Sequence, residues 1–161
     1  MFDPRQFRNA LGHFATGVAI VTTKDSQGGA IGLTINSFAS VSLEPPLVLW
    51  SLARNAWSVA AFEAAEFFAI HVLAEDQQDL SNRFARASED KFANVKTSAG
   101  LGGVPLLTGC PAVFQCSTER HYDGGDHIII VGRVESFHTE ERPPLLFHRG
   151  RYLATPEGCA A

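Results

Sequence analysis

No apolar run in these 161 residues approaches the about 20 that a membrane-spanning helix needs, and Met1–Ala10 carries no apolar signal core. A cytoplasmic location is the expectation. Cysteine is scarce: Cys110, Cys116 and Cys159 are the only three, and their spacing fits no zinc pattern. They read as reduced thiols, with Cys110 and Cys116 filling core positions. Basic charge is also scarce, with 13 Lys and Arg against 17 Asp and Glu, a net charge of −4. That excludes the clustered basic face a nucleic-acid binder needs. Blocks of like charge are missing too, which excludes tails and membrane-surface patches. There is no Walker A loop, no dinucleotide fingerprint ("GLGG" at 100–103 has the wrong spacing), no nucleophile elbow and no H-E-x-x-H. The six histidines are scattered. His121 and His127 can approach across a turn, but without an acidic or Cys partner at ligand spacing, so no metal is expected.

What remains is an apolar, aromatic-rich chain: 45% hydrophobic, with twelve Phe. The length suits one domain over residues 1–161. "DPRQFRNALGHFATG" predicts an opening helix. Asp3 is its N-cap, Pro4 takes the first helical position and Gln6 completes a capping-box spacing. Phe7, Ala10, Leu11 and Phe14 form its apolar face, and Gly17 is expected to stop it. "VAIVTT" predicts a strand, "KDSQGG" a turn, and "AIGLTINSFASVSL" one or two strands broken at Glu44-Pro45-Pro46. "LVLWSL" is the next strand. "RNAWSVAAFEAAE" predicts a helix with Asn55 as a candidate cap, "FFAIHVL" a buried strand, and "EDQQDLSNRFA" a short helix with Leu80 and Phe84 on one face. Residues 97–111 read as a loop, "AVFQCSTER" as a half-exposed strand, and "LLFHRGRYLA" as a last hairpin turning at Arg149-Gly150. In "RHYDGGDHIIIVGRV", Asp123-Gly124 is the expected turn, which leaves Gly125, Asp126 and His127 surplus to the fold. Seven or eight short strands with two or three helices and no βαβ alternation predict a mainly β fold, a closed or partly closed antiparallel barrel.

Three polar clusters stand out. "GLTINSFASVSL" sets Thr34, Asn36, Ser37, Ser40 and Ser42 into a strand-like stretch, all small and none charged. Outward strand positions account for some of them. Small neutral donors beside open backbone also suit a flat heteroaromatic ligand or a phosphate. "SLARNAWS" runs from a strand into a helix. Asn55, Ser58 and Arg54 are placed there either for a phosphate or, for one of them, as a plain cap. "RFARASEDKF" carries Arg83, Arg86, Ser88 and Lys91, which pattern alone assigns to a solvated helix end.

In order and spacing, "FATGVAIVTT", "GLTINSFASVSLEPPLVLWSL", "FAIHVL", "DKFANV", "GGDHIIIVGRVESF" and "PLLFHRGRY" resemble the flavin reductase-like family. These are short-chain NAD(P)H:flavin oxidoreductases built on an FMN-binding split barrel of Greek-key type. The resemblance runs from about Phe7 to Tyr152. It implies a homodimer with flavin, FMN or FAD, near the dimer interface. Thr34, Ile35, Asn36, Ser37 and Phe38, followed by Val41 and Ser42, would lie along the isoalloxazine ring. Ser51, Leu52, Asn55, Trp57 and Ser58 would hold the ribityl chain and phosphate, with Lys91 and Phe92 close to the phosphate or adenylate. Gly125, Asp126 and His127 would border the nicotinamide of NADH or NADPH, and Gly150, Arg151 and Tyr152 would close over it.

Relatives of this kind commonly reduce flavin for a partner monooxygenase, often a phenol hydroxylase. A related reductase of a corrinoid or other acceptor, or a non-catalytic flavin- or haem-binding barrel, are the alternatives. His71 stands where many members have Asn. In such an enzyme the cofactors do the hard chemistry and the protein stacks, orients and stabilises charge. His127 is the catalytic candidate: it would hydrogen-bond the carboxamide or supply a proton, with Asp126 orienting it or capping the turn. Arg151, Arg149 and Arg120 are candidates for a ribose 2′-phosphate.

Overall fold

In the computed structural model, which describes residues 2–88 and 90–156, Asp3 caps the first helix, α1 (Pro4–Leu11). Its carboxylate accepts from the Arg5 N–H at 2.9 Å. The helix ends earlier than the pattern suggests. Gly12 caps it, and its N–H donates to Arg8 O at 3.0 Å. Gly17 belongs to a short strand, β1 (Thr16–Gly17). The apolar face finds no core here: no α1 residue is buried, and Phe14 lies past the helix end. A face with nothing to pack against cannot extend a helix by burial.

The strands follow the sequence pattern closely. β2 (Ala19–Lys24) and β3 (Ala30–Ile35) form a hairpin whose turn Asp25 organises, accepting from the N–H groups of Gln27 and Gly29. β4 (Ala39–Leu43) and β5 (Pro46–Ala53) form the next, across the cis Glu44–Pro45 bond. α2 (Val59–Ala64) begins after Ser58, so Asn55 lies in the preceding turn and is not its cap. β6 (Phe67–Val72) is buried at its centre. A 3₁₀ turn at Glu75–Gln77 leads into α3 (Gln78–Ala85), where Phe84 is buried. The expected loop at 97–111 contains a small hairpin, β7 (Thr97–Ala99) and β8 (Pro105–Leu107), folded around glycines.

Two long strands, β9 (Ala112–Gly124) and β10 (His127–Thr139), pair with His127 opposite Gly124. The residues between them are therefore Gly125 and Asp126, and Gly125 has φ +75. This corrects the expectation that Asp123-Gly124 makes the turn. A two-residue turn starting with glycine matches the twist of the flanking strands, so Gly125 and Asp126 are the turn itself. β11 (Leu146–His148) and β12 (Arg151–Leu153) turn, as expected, at Arg149-Gly150, both with positive φ. Twelve strands occur among the described residues, more than expected because β1, β7 and β8, each only two or three residues long, carry no strand pattern.

Seven strands form one antiparallel sheet in the order β3-β2-β6-β9-β10-β5-β4. Its two edges, β3 and β4, are neighbours in sequence, joined only by Asn36, Ser37 and Phe38. Laid flat, seven strands would put those edges about 29 Å apart, whereas the link reaches about 14 Å at most. The sheet must roll into a barrel. The edges do not pair by backbone among the described residues; Ser37, in the link, is tied instead to β5, next to the β4 edge. The Ser51 N–H donates to Ser37 Oγ at 2.9 Å, and the hydroxyl donates back to Ser51 O at 3.3 Å. This is an antiparallel split barrel.

Inside it pack Ala19, Val21, Ile31, Ile35, Trp50, Leu52, Phe62, Phe68, Ile70, Cys116, Ile128 and Ile130, with the Trp50 ring edge-on to Phe62 and Phe68. A second core outside the wall holds Val18, Ile20, Leu73, Phe84, Leu107, Cys110, Val113 and Leu145. β2 feeds both cores, which is why its run is apolar without alternation. Cys110 and Cys116 are free and buried, as expected, and burial pushes their thiols up to about 11 and about 12. Cys159 lies outside the described residues.

His71 is fully buried between the two cores. Its Nδ1–H donates to Ile20 O (3.0 Å), and its Nε2 accepts from the Leu107 N–H (3.1 Å). It thus ties β6 to β2 and to β8, a job that needs one donor and one acceptor. Only the neutral ring fits, and burial lowers its pKa to about 4.

Two outcomes are expected. Ser37→Ala leaves the Ser51 N–H without its acceptor and should lower the unfolding free energy in urea by about 1–2 kcal/mol; a loss below about 0.3 kcal/mol would show that the seam does not depend on it. His71 has a folded pKa below its unfolded value, so its stabilisation is complete above pH 6.5 and drains away as pH falls towards about 4. Over that window roughly 3 kcal/mol should be lost in the wild type and largely not in His71→Asn. Parallel stability–pH curves for the two proteins would contradict this.

Candidate active site

The uncharged stretch after β3 divides its labour. Thr34 faces away from the barrel interior and its hydroxyl donates to Ser81 O of α3 at 2.7 Å. Ile35 packs in the barrel core. Asn36 is exposed and lines a cavity of about 540 Å3 with Thr16, Phe147, Arg149 and Gly150. Ser37 ties the link to Ser51 of β5. Phe38 stacks on Phe114 with ring centroids 5.5 Å apart. Val41 is exposed and Ser42 half-buried on the edge strand β4.

Ser51 is coupled to Ser37, and Leu52 points into the barrel with no exposure. Leu52 therefore offers a ligand no side-chain surface. Asn55 is exposed in the turn before α2. Trp57 is half exposed and lies over the Lys91 amine, 5.0 Å from Nζ to the ring centroid. Lys91 itself is buried and donates to Gly32 O (3.1 Å) and Phe84 O (2.9 Å). Two carbonyls and an aromatic face occupy its three donor directions. Burial lowers its pKa. Phe92 sits edge-on to Phe84 beside it. Arg86 and Ser88, just past α3, are exposed as the pattern suggested, whereas Arg83 on α3 is half-buried and donates to the carbonyls of Asp90 and Ala93. Ser58 is buried, its hydroxyl has no protein partner, and it lines a cavity of about 690 Å3 with Trp57, Lys24, Thr23 and a wall of alanines.

At the β9–β10 turn, His127 Nδ1 lies 2.6 Å from Asp126 Oδ1. The hydrogen bond from His127 holds the Asp126 carboxyl below the usual carboxylate range, so Asp126 accepts and Nδ1 carries the proton. His127 Nε2 is left for another partner, on a side chain 44% exposed. In the register of β5, His127 stands opposite Ala53.

The last hairpin sits elsewhere in the chain. Gly150 and Arg149 rim the 540 Å3 cavity, and the Arg149 N–H donates to Gly12 O at the end of α1. Arg151 is exposed. The Tyr152 hydroxyl lies 2.8 Å from Ser81 Oγ, and its ring packs against Phe147. Thr34 and Tyr152 thus meet at Ser81. No described hydrogen bond or cavity joins the Gly125–His127 turn to this hairpin, although the resemblance set both beside one nicotinamide.

Sequence reasoning missed two residues. Ser81, fully buried, gathers β3 and β12 onto α3, and nothing in "DLSNRF" distinguishes it from a surface serine. Thr16 has a buried hydroxyl without a protein partner, at the cavity Asn36 also lines. A buried hydroxyl with no partner costs free energy unless something else pairs with it. Thr16 and Ser58 each belong to the lining of a cavity while their own hydroxyl oxygens are buried. The small residues around Asn36 suit a flat ring, and Ser58 with the Lys24 amine suits a phosphate. Among the described residues no group of three or more His, Cys, Asp or Glu could hold a metal, and no helix is long and apolar enough to cross a membrane.

Residues 11–156 match the family model described as flavin reductase like domain. The reductase subunit HsaB of a flavin-dependent monooxygenase from Rhodococcus jostii is 47% identical over 151 residues, 93% of this chain and 77% of that one. The FMN reductase (NADH) SmoA of Agrobacterium fabrum is 47% identical over 150 residues, 93% and 85% of the two chains. A probable flavin reductase of Rhizobium meliloti is 47% identical over 153 residues; these are 95% of this chain but 49% of that one, so the chain spans about half its length. Among solved structures, the NADH:FAD oxidoreductase SgcE6 of Streptomyces globisporus C-1027, with NAD and FAD fragments, superposes with a TM-score of 0.91 at 36% identity and 99% coverage of both chains. Nearly the whole barrel is thus shared in sequence and in shape, and the chain belongs to the flavin reductase-like family.

Proposed function

We propose that this chain reduces FMN or FAD with NADH and passes the reduced flavin to a partner monooxygenase, one that hydroxylates an aromatic ring. The observation that carries the reading is the match of residues 11–156 to the flavin reductase like domain, in a chain whose two larger cavities are lined by Thr16 and Asn36 and by Trp57 and Ser58. Bound flavin supplies the hydride acceptor, and the nicotinamide nucleotide the donor.

The chain's own residues supply placement. Asn36, with Thr34, Ile35, Ser37 and Phe38 setting its backbone and Val41 and Ser42 beside it, offers small neutral groups to the flat ring. Ser51, Asn55, Trp57 and Ser58 face the ribityl chain and phosphate, while Leu52, Lys91 and Phe92 brace that segment from behind. His127, held through Nδ1 by Asp126, presents Nε2 to the nicotinamide carboxamide or moves a proton there. Gly150, Arg151 and Tyr152 belong to a second wall of the nucleotide site.

We also propose a homodimer. Phe7 and Leu11 on α1 and Val41 and Leu43 on the edge strand β4 are solvent-exposed in one chain, Leu43 by 93%. Apolar surface of that extent suits burial against a second copy. A second copy would also bring the His127 turn and the last hairpin, separate within one chain, to a common site. The chain is taken as one domain working in the cytoplasm.

Purified protein mixed with NADH and FMN or FAD in air should oxidise NADH only when flavin is added. Tight flavin colour without NADH loss would replace the enzyme with a binding module. His127→Ala should lower kcat/KM for NADH by about tenfold or more while the flavin Kd changes by less than about twofold; unchanged NADH kinetics would remove His127 from the site. Light scattering should give twice the 17.4 kDa chain mass, and Leu43→Glu should shift it towards the single-chain value; a wild-type monomer would overturn the dimer.

A further inference from the structure

Arg54 reads from sequence as a candidate phosphate ligand, but its side chain is committed elsewhere. It leaves the end of β5 and crosses to the β9–β10 turn, some 70 residues away in sequence. Its Nε donates to Gly125 O at 2.9 Å, and its Nη2 donates to Asp123 Oδ1 at 2.6 Å. Its backbone N–H donates to Asp126 O, also at 2.9 Å. One residue therefore binds the last side chain before the turn and the carbonyls of both turn residues.

The turn has few other restraints. Gly125 and Asp126 are exposed, nothing lies within 4 Å of where a Gly125 Cβ would stand, and the Asp126 side chain is 94% exposed. A two-residue hairpin tip of this kind is fixed by its flanking ladder and little else. His127 is the first residue of β10, and its ring is oriented by Asp126, which sits in the turn. Any rocking of the tip moves the carboxylate that sets the ring. An arginine fork suits this clamp, since its planar donors fix two acceptors at once, as a lysine cannot. The ion pair with Asp123 is solvent-exposed, so its contribution to global stability is small. What it fixes is local geometry.

We propose that Arg54 is a positioning residue for the nicotinamide side of the reaction: it locks the Gly125–Asp126 turn so that the Asp126–His127 pair faces the nucleotide in one orientation. The inference rests on His127 acting in NADH oxidation, as proposed above. It assigns Arg54 away from the flavin phosphate and explains why a strand end that precedes the Asn55–Ser58 segment carries an arginine.

The test is a double-mutant cycle in NADH:flavin reductase kinetics with Arg54→Gln, His127→Ala and the pair, together with flavin Kd and thermal melting of each. Arg54→Gln should lower kcat/KM for NADH by about fivefold or more, with flavin Kd within about twofold and melting within about 2 °C of wild type. In the His127→Ala background the same change should cost less than about twofold, because its only route of action is gone. Arg54→Lys should not rescue the loss, and Asp123→Asn should give a smaller loss of the same kind. A weakened flavin Kd in Arg54→Gln would return Arg54 to the phosphate, and additive losses in the double mutant would give it a role independent of His127; either overturns the clamp. An active His127→Ala effect beside a silent Arg54→Gln also overturns it. If His127→Ala is itself silent while Arg54→Gln is not, the histidine assignment fails as well as the clamp.

Discussion

Three residues between Ile35 and Ala39 hold the two edges of a seven-stranded sheet together, and the rest of the molecule depends on that short link. It is too short for a flat sheet, so the wall must curl. The edges β3 and β4 nonetheless stay unpaired among the described residues, and within the link the Ser37 Oγ is tied to the backbone of Ser51 on β5. A barrel closed by a ladder would spend every backbone group on strand pairing. Closed this way, it leaves Asn36 and its neighbours open at the seam. The small uncharged residues there are what lets the two edges come close, and the same smallness makes the seam accessible to a flat ligand. In this fold the place where the barrel is incomplete is the place proposed for chemistry.

Around the seam, each element has a positional task. α3 sits outside the wall and gathers Thr34 and Tyr152 at Ser81, fixing the outer face of β3 and the last hairpin to one point. Lys91, buried under Trp57 and bound to the carbonyls of Gly32 and Phe84, joins β3 to the end of α3. Its amine is a structural strut, with the desolvation offset by three partners. His71 does the matching work on the other side, tying β6 to β2 and β8. None of these side chains needs to touch a ligand to matter. They determine how precisely the open groups, Asn36 and His127, and the buried hydroxyls of Thr16 and Ser58 are held.

Much of this was legible in the sequence. Alternation and continuous apolar runs locate β2, β5, β6, β9 and β10, and Gly150 announces its own turn because glycine tolerates positive φ. The six stretches that resemble the family point to the same family that the comparisons show. What stayed hidden depends on contacts between distant segments. "DGGDH" contains two candidate turns one register apart, and only the pairing of His127 with Gly124 selects Gly125-Asp126. Arg54 looks like a phosphate ligand because its partners, Asp123 and Gly125, lie about 70 residues further on. Lys91 looks like a solvated helix end because pattern cannot show Trp57 covering it. The α1 face predicts burial but finds none within one chain, because pattern shows an apolar face and not what covers it.

The central claim is that the chain holds flavin and nicotinamide face to face and lets a hydride pass directly between them. The direct measurement is anaerobic flavin bleaching by NADH deuterated separately at each of the two C4 positions. An ordered site predicts a primary isotope effect for one isotopomer and none for the other. Equal rates for both, or no bleaching at all, would contradict the account.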